Sequence, residues 1–100
     1  MTKEIYRYAF TSEVPVEEIE ASILLAILAA ESLHGEAQVR LDAAHFLDSE
    51  KRTCVIDATT AVGRDINCLF TGFLAREFGS DSFQVERVDP HHDQPKEVAA

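Results

Sequence analysis

The chain has 100 residues, of which 18 are acidic and 9 are basic, so its formal net charge is −9. This length predicts a single domain whose core leaves little area for a deep catalytic cleft. The negative charge disfavours nucleic acid and anionic membranes as partners, and two cysteines are too few for a disulfide framework.

The first predicted element is a strand over residues 4–11. Its side chains alternate between two sides, and Tyr6, Tyr8 and Phe10 share the side that we expect to face the core. Arg7 therefore lies on the opposite side of this strand.

A helix is predicted next, over residues 15–34. Pro15 suits a first helical position, and Gly35 is expected to end the helix. The apolar residues that recur at helical spacing should pack on the sheet. They are Val16, Ile19, Ile23, Ala26, Ile27, Ala30 and Leu33.

A second apolar group lies on the opposite side of the same helix. Its members are Ala21, Leu24, Leu25 and Leu28. A helix that covers a small sheet should be polar there, so this patch has no expected partner within the domain. We predict that it is the interface of a homo-oligomer, with a dimer favoured. The alternative is that these are ordinary surface leucines.

Two strands are predicted over residues 37–47 and 52–58, joined by a polar turn at residues 48–51. We expect Val39, Leu41 and Ala43 to face the core from the first of these strands. The register leaves two alternatives open. A tight turn places Asp42 opposite Asp57, where the two carboxylates could hold a cation, whereas a two-residue shift places Arg40 opposite Asp57.

The second predicted helix covers residues 60–78, with Thr59 or Thr60 as its N-cap and Gly79 at its end. Gly72 lies off the apolar stripe and is interpreted as a possible point of close approach to the first helix. The residues predicted to form the stripe are Val62, Ile66, Leu69, Phe70 and Phe73.

A last strand is predicted over residues 83–88, with Phe83 and Val85 facing inward. The segment from residue 90 onward contains two prolines and no apolar period, so we predict a domain over residues 1–89 and a disordered tail over residues 90–100.

Read in order, these elements are β-α-β-β-α-β. The layout over about residues 4–88 resembles the ferredoxin-like plait. The resemblance implies an α+β fold with a four-stranded antiparallel sheet in the order 4-1-3-2 and two helices on one face. This fold supports many unrelated functions, so it implies no activity by itself. No CxxC follows the first strand, as it does in heavy-metal-binding modules of this shape, and no family is recognised from a motif.

Two helices on one face leave the other face of the sheet bare. Arg7 would lie there between the last strand and the third, within reach of Glu86 and Asp57, and Arg40 and Asp42 would share that face. These five residues are the candidate binding site for a small anionic ligand. Two alternatives are a solvated face with cross-strand ion pairs and a sheet-to-sheet dimer interface.

Other combinations of reactive residues give weaker signals. His45 and Cys54 share the core-facing side of neighbouring strands, but no third ligand or orienting carboxylate accompanies them. His34 fits the C-terminal dipole of the first helix. The sequence His91-His92-Asp93 could bind a metal ion only adventitiously, because it falls in the predicted tail. We therefore predict no catalytic residue, no metal and no cofactor.

The amino terminus has no apolar stretch typical of a signal peptide, and the longest apolar run, residues 23–30, is too short to span a bilayer. The sequence thus favours a small cytoplasmic, non-catalytic interaction module that self-associates. The alternative is a sensor of an anionic metabolite, or a small enzyme subunit, that uses the bare sheet face around Arg7.

Overall fold

In a computed structural model, which describes residues 3–88, the chain forms an α+β domain with a four-stranded antiparallel open sheet and three α-helices. The coarse fold class predicted from the sequence is therefore confirmed. The elements are β1 (Ile5–Phe10), α1 (Val16–His34), α2 (Glu36–Asp42), β2 (His45–Asp48), β3 (Thr53–Asp57), α3 (Ala61–Phe78), a 3-10 turn (Ser80–Ser82) and β4 (Phe83–Val88).

The strands of the sheet lie in the order β2-β3-β1-β4, and each neighbouring pair is antiparallel. Arg7 at the centre of β1 lies opposite Glu86 on β4 and opposite Val55 on β3. Phe46 on β2 lies opposite Val55 in turn. This register places four side chains in one row across the sheet, on the same side, because directly opposed residues share a face.

The core lies between the other side of the sheet and the helices α1 and α3. Tyr8 and Phe10 are buried there, as the alternation in β1 predicts, and Tyr6 packs against the same cluster. The ring of Phe70 on α3 meets the ring of Tyr8 edge to face, with centroids 4.9 Å apart. Aromatic contacts of this geometry add to the free energy gained from burial alone.

Both predicted inward stripes are largely confirmed. The residues of α1 that become buried are Ile19, Ile23, Ala26 and Ala30, and those of α3 are Val62, Gly63, Ile66, Phe70 and Leu74. Leu33 on α1 and Val85 on β4, both predicted to face inward, are exposed instead. Leu33 falls in the last turn before α1 ends at His34, and Val85 lies on an edge strand that pairs on one side alone within residues 3–88.

The predicted second strand over residues 37–47 is wrong over its first half. Residues Glu36–Asp42 form α2, and β2 is limited to His45–Asp48. Pairs four residues apart stabilise this helix: Arg40 donates to Glu36 at 2.8 Å and Gln38 donates to Asp42 at 2.7 Å.

Within α2, Val39 is buried and Leu41 is 79% exposed, so the two side chains that the alternation predicts on one strand face point in different directions.

This helix also overturns both predicted hairpin registers. Asp42 and Arg40 lie on α2, and neither lies opposite Asp57, whose backbone amide donates to the carbonyl of Ala44 at 3.0 Å. The predicted carboxylate pair and the alternative Arg40–Asp57 pair are therefore both wrong.

The start of α3 is fixed by a cap and by a close packing contact. The side chain of Thr60 accepts a hydrogen bond from the amide of Gly63 at 3.0 Å, which confirms one of the two predicted N-caps. A Cβ at Gly63 would lie 2.1 Å from the carbonyl oxygen of Asp57, whereas a Cβ at Gly72 would meet nothing within 4 Å. The predicted close approach at Gly72 is wrong, and the close approach occurs at Gly63.

The tail predicted over residues 90–100, with the tripeptide His91-His92-Asp93, lies outside the described residues.

Candidate functional site

The side of the sheet that faces away from the helices is the first candidate surface. We call it the open sheet face and define it by the side chains that alternate with the core residues: Ile5, Arg7, Ala9, Phe46, Asp48, Thr53, Val55, Asp57, Gln84, Glu86 and Val88. Its central row is Phe46, Val55, Arg7 and Glu86. The row combines two apolar side chains with one positive and one negative charge.

Two of the four charged side chains of the open sheet face, Arg7 and Glu86, pair with each other. Nη1 of Arg7 lies 3.8 Å from Oε2 of Glu86, as predicted. Asp57, which lies opposite Ile5, pairs with Lys3 at 3.9 Å, and its Oδ1 accepts the amide of Thr59 at 2.9 Å. The predicted site is thus assembled in part: Arg7 and Glu86 meet, and Asp57 shares their face but pairs with Lys3.

The two other predicted ligand-binding residues lie elsewhere. Arg40 and Asp42 are on α2, so they do not belong to the open sheet face. Their side chains interact with Glu36 and Gln38 of the same helix.

Phe46 is the residue of this face that sequence reasoning missed. It is 66% exposed, which is unusual for so large an apolar side chain, and it stands beside Val55 in the central row. Phe46 has the same parity as Arg40 and Asp42, so the strand predicted over residues 37–47 already places it on the open face.

An open depression of about 470 Å³ lies beside Arg7 and is the place where a small molecule could sit on this face. Its lining consists of Arg7, Ala9, Gln84, Val85 and Glu86. The volume falls in the range of ligand sites, but the carboxylate of Glu86 beside Arg7 offsets the positive charge that an anion requires.

The second candidate surface is the outward side of α1. We call Ala21, Leu24, Leu25 and Leu28 the α1 outer patch. The exposed fractions of the three leucines are 56%, 52% and 51%, and Ala21 is exposed as well. The structure thus places all four predicted interface residues in solvent, next to one another at spacings of three and four residues.

The α1 outer patch is bordered by acidic side chains at both ends. Glu17 and Glu20 precede it, Glu31 follows it, and α1 contains four glutamates and no lysine or arginine. Within residues 3–88, ion pairs join Lys3 to Asp57, Arg7 to Glu86, His34 to Asp65 and Arg40 to Glu36. None of these pairs includes a glutamate of α1.

The possible nucleophile on the core side is unreactive. Cys54 is fully buried, and this burial raises the pKa of its thiol to about 12, so the thiolate is not available near neutral pH. His45 is exposed and lies opposite Ile56 rather than opposite Cys54. His34 forms a 2.7 Å contact with Asp65, which joins the end of α1 to the first turns of α3.

Two networks of side-chain hydrogen bonds in the described part of the chain stabilise the fold around these surfaces. The hydroxyl of Tyr8 bonds to Oδ1 of Asn67 at 2.5 Å and to Oγ1 of Thr71 at 2.6 Å. Burial raises the pKa of this phenol to about 12. Arg52 donates from one nitrogen to the carbonyl of Thr11, at 2.9 Å, and to that of Val14. Neither network was predicted.

Residues 3–88 contain no group of three or more His, Cys, Asp or Glu side chains placed to hold a metal ion. Over the same residues, no helix combines the length and the apolar character needed to cross a membrane.

Comparison of the chain with protein-family models, with curated proteins and with solved structures gives no match.

Proposed function

We propose that this domain is a non-catalytic interaction module whose copies associate through the open sheet face. The observation that carries the proposal is the central row of that face, in which the exposed ring of Phe46 and the side chain of Val55 continue into the Arg7–Glu86 pair. A contiguous apolar surface with a few polar groups is typical of a protein interface.

Charge favours the open sheet face over the α1 outer patch for contact between identical copies. Two copies that meet at the open sheet face bring together a surface whose charges include two ion pairs. A two-fold arrangement also lets Arg7 of one copy face Glu86 of the other, because the same patch is used on both sides. Two copies that meet through α1 would bring the four glutamates of each helix together, which opposes association.

The experiment that tests this proposal is the solution mass of four proteins by sedimentation equilibrium over a range of concentrations. We expect the wild type to dimerise and Phe46→Glu to be a folded monomer, because a charge would be buried without a partner. Leu41→Glu is the matched control, since Leu41 is exposed but lies on α2. The fourth protein, Leu24→Glu with Leu28→Glu, should remain a dimer.

The outcomes separate the two surfaces. A monomeric double variant together with a dimeric Phe46→Glu would assign self-association to the α1 outer patch. A monomeric wild type at every concentration would contradict self-association altogether. Arg7→Glu should also dissociate the dimer, and Arg7→Glu with Glu86→Arg should restore it, because the exchange keeps one charge of each sign.

We further infer that the domain is a variant of the ferredoxin-like plait in which α2 replaces the first half of the second strand. The inference is supported by the strand order, which reads β4-β1-β3-β2 from the β4 edge, and by the common core that α1 and α3 share. The two free cysteines favour a reducing compartment such as the cytoplasm.

The depression beside Arg7 supports a second candidate function, the binding of a small anionic metabolite. A thermal-shift screen tests it, because a ligand at 100 times its Kd adds about 2.7 kcal/mol to the free energy of unfolding. The expected hit loses its effect in Arg7→Ala and gains affinity in Glu86→Gln. An anion whose effect is unchanged in both variants binds elsewhere and contradicts this site.

A further inference from the structure

We propose that the α1 outer patch is a docking site for a basic amphipathic helix of another protein. This proposal goes beyond the self-association through the open sheet face and does not depend on it. The patch supplies an apolar strip two turns long on a rigid helix, and the glutamates at its two ends supply the charge that selects the partner.

The geometry of α1 specifies what the partner must carry. Glu17 lies four residues before Ala21, and Glu31 lies three residues after Leu28, so both glutamates continue the surface of the patch. The two are fourteen residues apart, which is about 21 Å along a helix. A partner helix needs apolar residues at spacings of three and four in its centre and lysines or arginines about 21 Å apart at its ends.

Charge also argues against three other occupants. A second copy of this chain presents the same acidic helix, so like charges would meet at both ends of the contact. Residues 89–100 contain one lysine and three acidic residues, so this segment does not supply the positive charge either. An anionic membrane is disfavoured for the same reason.

The ion pairs of the described residues leave the charges beside the α1 outer patch available to a partner. The acidic residues Glu36, Asp57, Asp65 and Glu86 each have a basic or histidine partner. The glutamates that border the α1 outer patch have no such partner in the part of the chain that the structure describes. A partner with basic ends would therefore add ion pairs without breaking any that the domain already makes.

The test uses two fluorescent synthetic peptides of about 18 residues with the same leucine face. One carries lysines at both ends and the other carries glutamates at those positions. Fluorescence anisotropy with the full chain should show binding of the basic peptide, weakening as salt is added, and no binding of the acidic one. Equal binding of both peptides, or binding of neither at millimolar protein, would overturn the proposal.

Matched variants locate the site. Leu24→Ser with Leu28→Ser should abolish binding, and Glu17→Gln with Glu20→Gln and Glu31→Gln should weaken it about tenfold. The control removes the same number of charges from exposed residues elsewhere, by Glu50→Gln, Glu77→Gln and Asp81→Asn, and should leave the affinity unchanged. An equal loss in both triple variants would mean that the peptide responds to net charge alone and would refute a site on α1.

Two further measurements distinguish peptide docking on α1 from self-association and from lipid insertion. Phe46→Glu should bind the basic peptide as the wild type does, whatever its oligomeric state, so failure of the proposed self-association leaves this result intact. Binding of the chain to vesicles of neutral phosphatidylcholine, lost in the leucine double variant, would instead show that the patch inserts into lipid and would overturn the proposal.

Discussion

Replacement of Gly63 by alanine tests the contact that joins α3 to the end of β3. The added Cβ would lie 2.1 Å from the carbonyl oxygen of Asp57 and 3.1 Å from Cα of Ala58. Both neighbours are backbone atoms, so no side chain can rotate out of the way. Ordinary contact begins at 3.4 Å, so the helix and the strand would have to separate by about a further 1.3 Å.

Three contributions set the expected change in the free energy of unfolding. Overpacking of this kind costs about 1–3 kcal/mol. Movement of the helix also strains the hydrogen bond from the amide of Gly63 to the Thr60 cap, which contributes about 1 kcal/mol. Alanine regains about 1 kcal/mol because it is a better helix former than glycine. The net expectation for Gly63→Ala is a loss of about 1–3 kcal/mol.

Gly72→Ala is the matched control in the same helix. A Cβ there meets nothing within 4 Å, so the gain in helix propensity should act alone and stabilise the protein by up to about 1 kcal/mol. Urea denaturation followed by circular dichroism measures both variants, and their midpoints should move in opposite directions at equal slope. If Gly63→Ala proves as stable as the wild type, the close packing of α3 on β3 is wrong.

Two further predictions concern the hydrogen bonds of Arg52 and the buried side chains of Tyr8 and Cys54. Arg52→Met keeps the aliphatic stem but removes the hydrogen bonds to two carbonyls of the β1–α1 connection, so it should destabilise the protein by about 2 kcal/mol. The control Arg64→Met removes one exposed hydrogen bond and should cost under about 0.5 kcal/mol. Equal losses of stability in urea denaturation would contradict a stabilising role for the two Arg52 hydrogen bonds. The raised pKa values of Tyr8 and Cys54 mean that folding favours their neutral forms, so their stabilisation is complete below the ordinary values of 10.0 and 9.0 and is lost as the pH rises towards about 12. The free energy of unfolding should therefore fall as the pH rises over this window, by up to about 1.4 kcal/mol per pH unit for each group. The fall should be shallower in Tyr8→Phe, which lacks the phenol. An identical slope in that variant would refute the burial of the phenol.

The strongly periodic segments could be predicted from the sequence because one side of each is buried. Strand β1 alternates around Tyr8, and α1 and α3 repeat apolar residues at helical spacing, so their type and their inward faces follow from the pattern. The α1 outer patch followed as well, since a side chain opposite a buried stripe on a covering helix must point into solvent.

The segment between α1 and β3 required the tertiary structure. Residues 36–43 alternate in the sequence, but they also contain good helix formers and two pairs four residues apart, and a pattern this short fits either period. Val39 is buried while Leu41 lies in solvent. Side chains two residues apart point in different directions in a helix but in the same direction in a strand, so this burial fits the helix. That outcome moved Arg40 and Asp42 away from the open sheet face and left Phe46, which has the same parity, on it.

The sequence by itself determined the α+β class, the two long helices and the apolar strip on α1, because hydrophobic periodicity is a local property of the chain. Only the tertiary structure decided which glycine is crowded, which carboxylate pairs with Arg7 and which loop carbonyls accept hydrogen bonds from Arg52. Each of these depends on two segments distant in sequence meeting within a few ångströms, and a spacing pattern within one segment carries no information about the other.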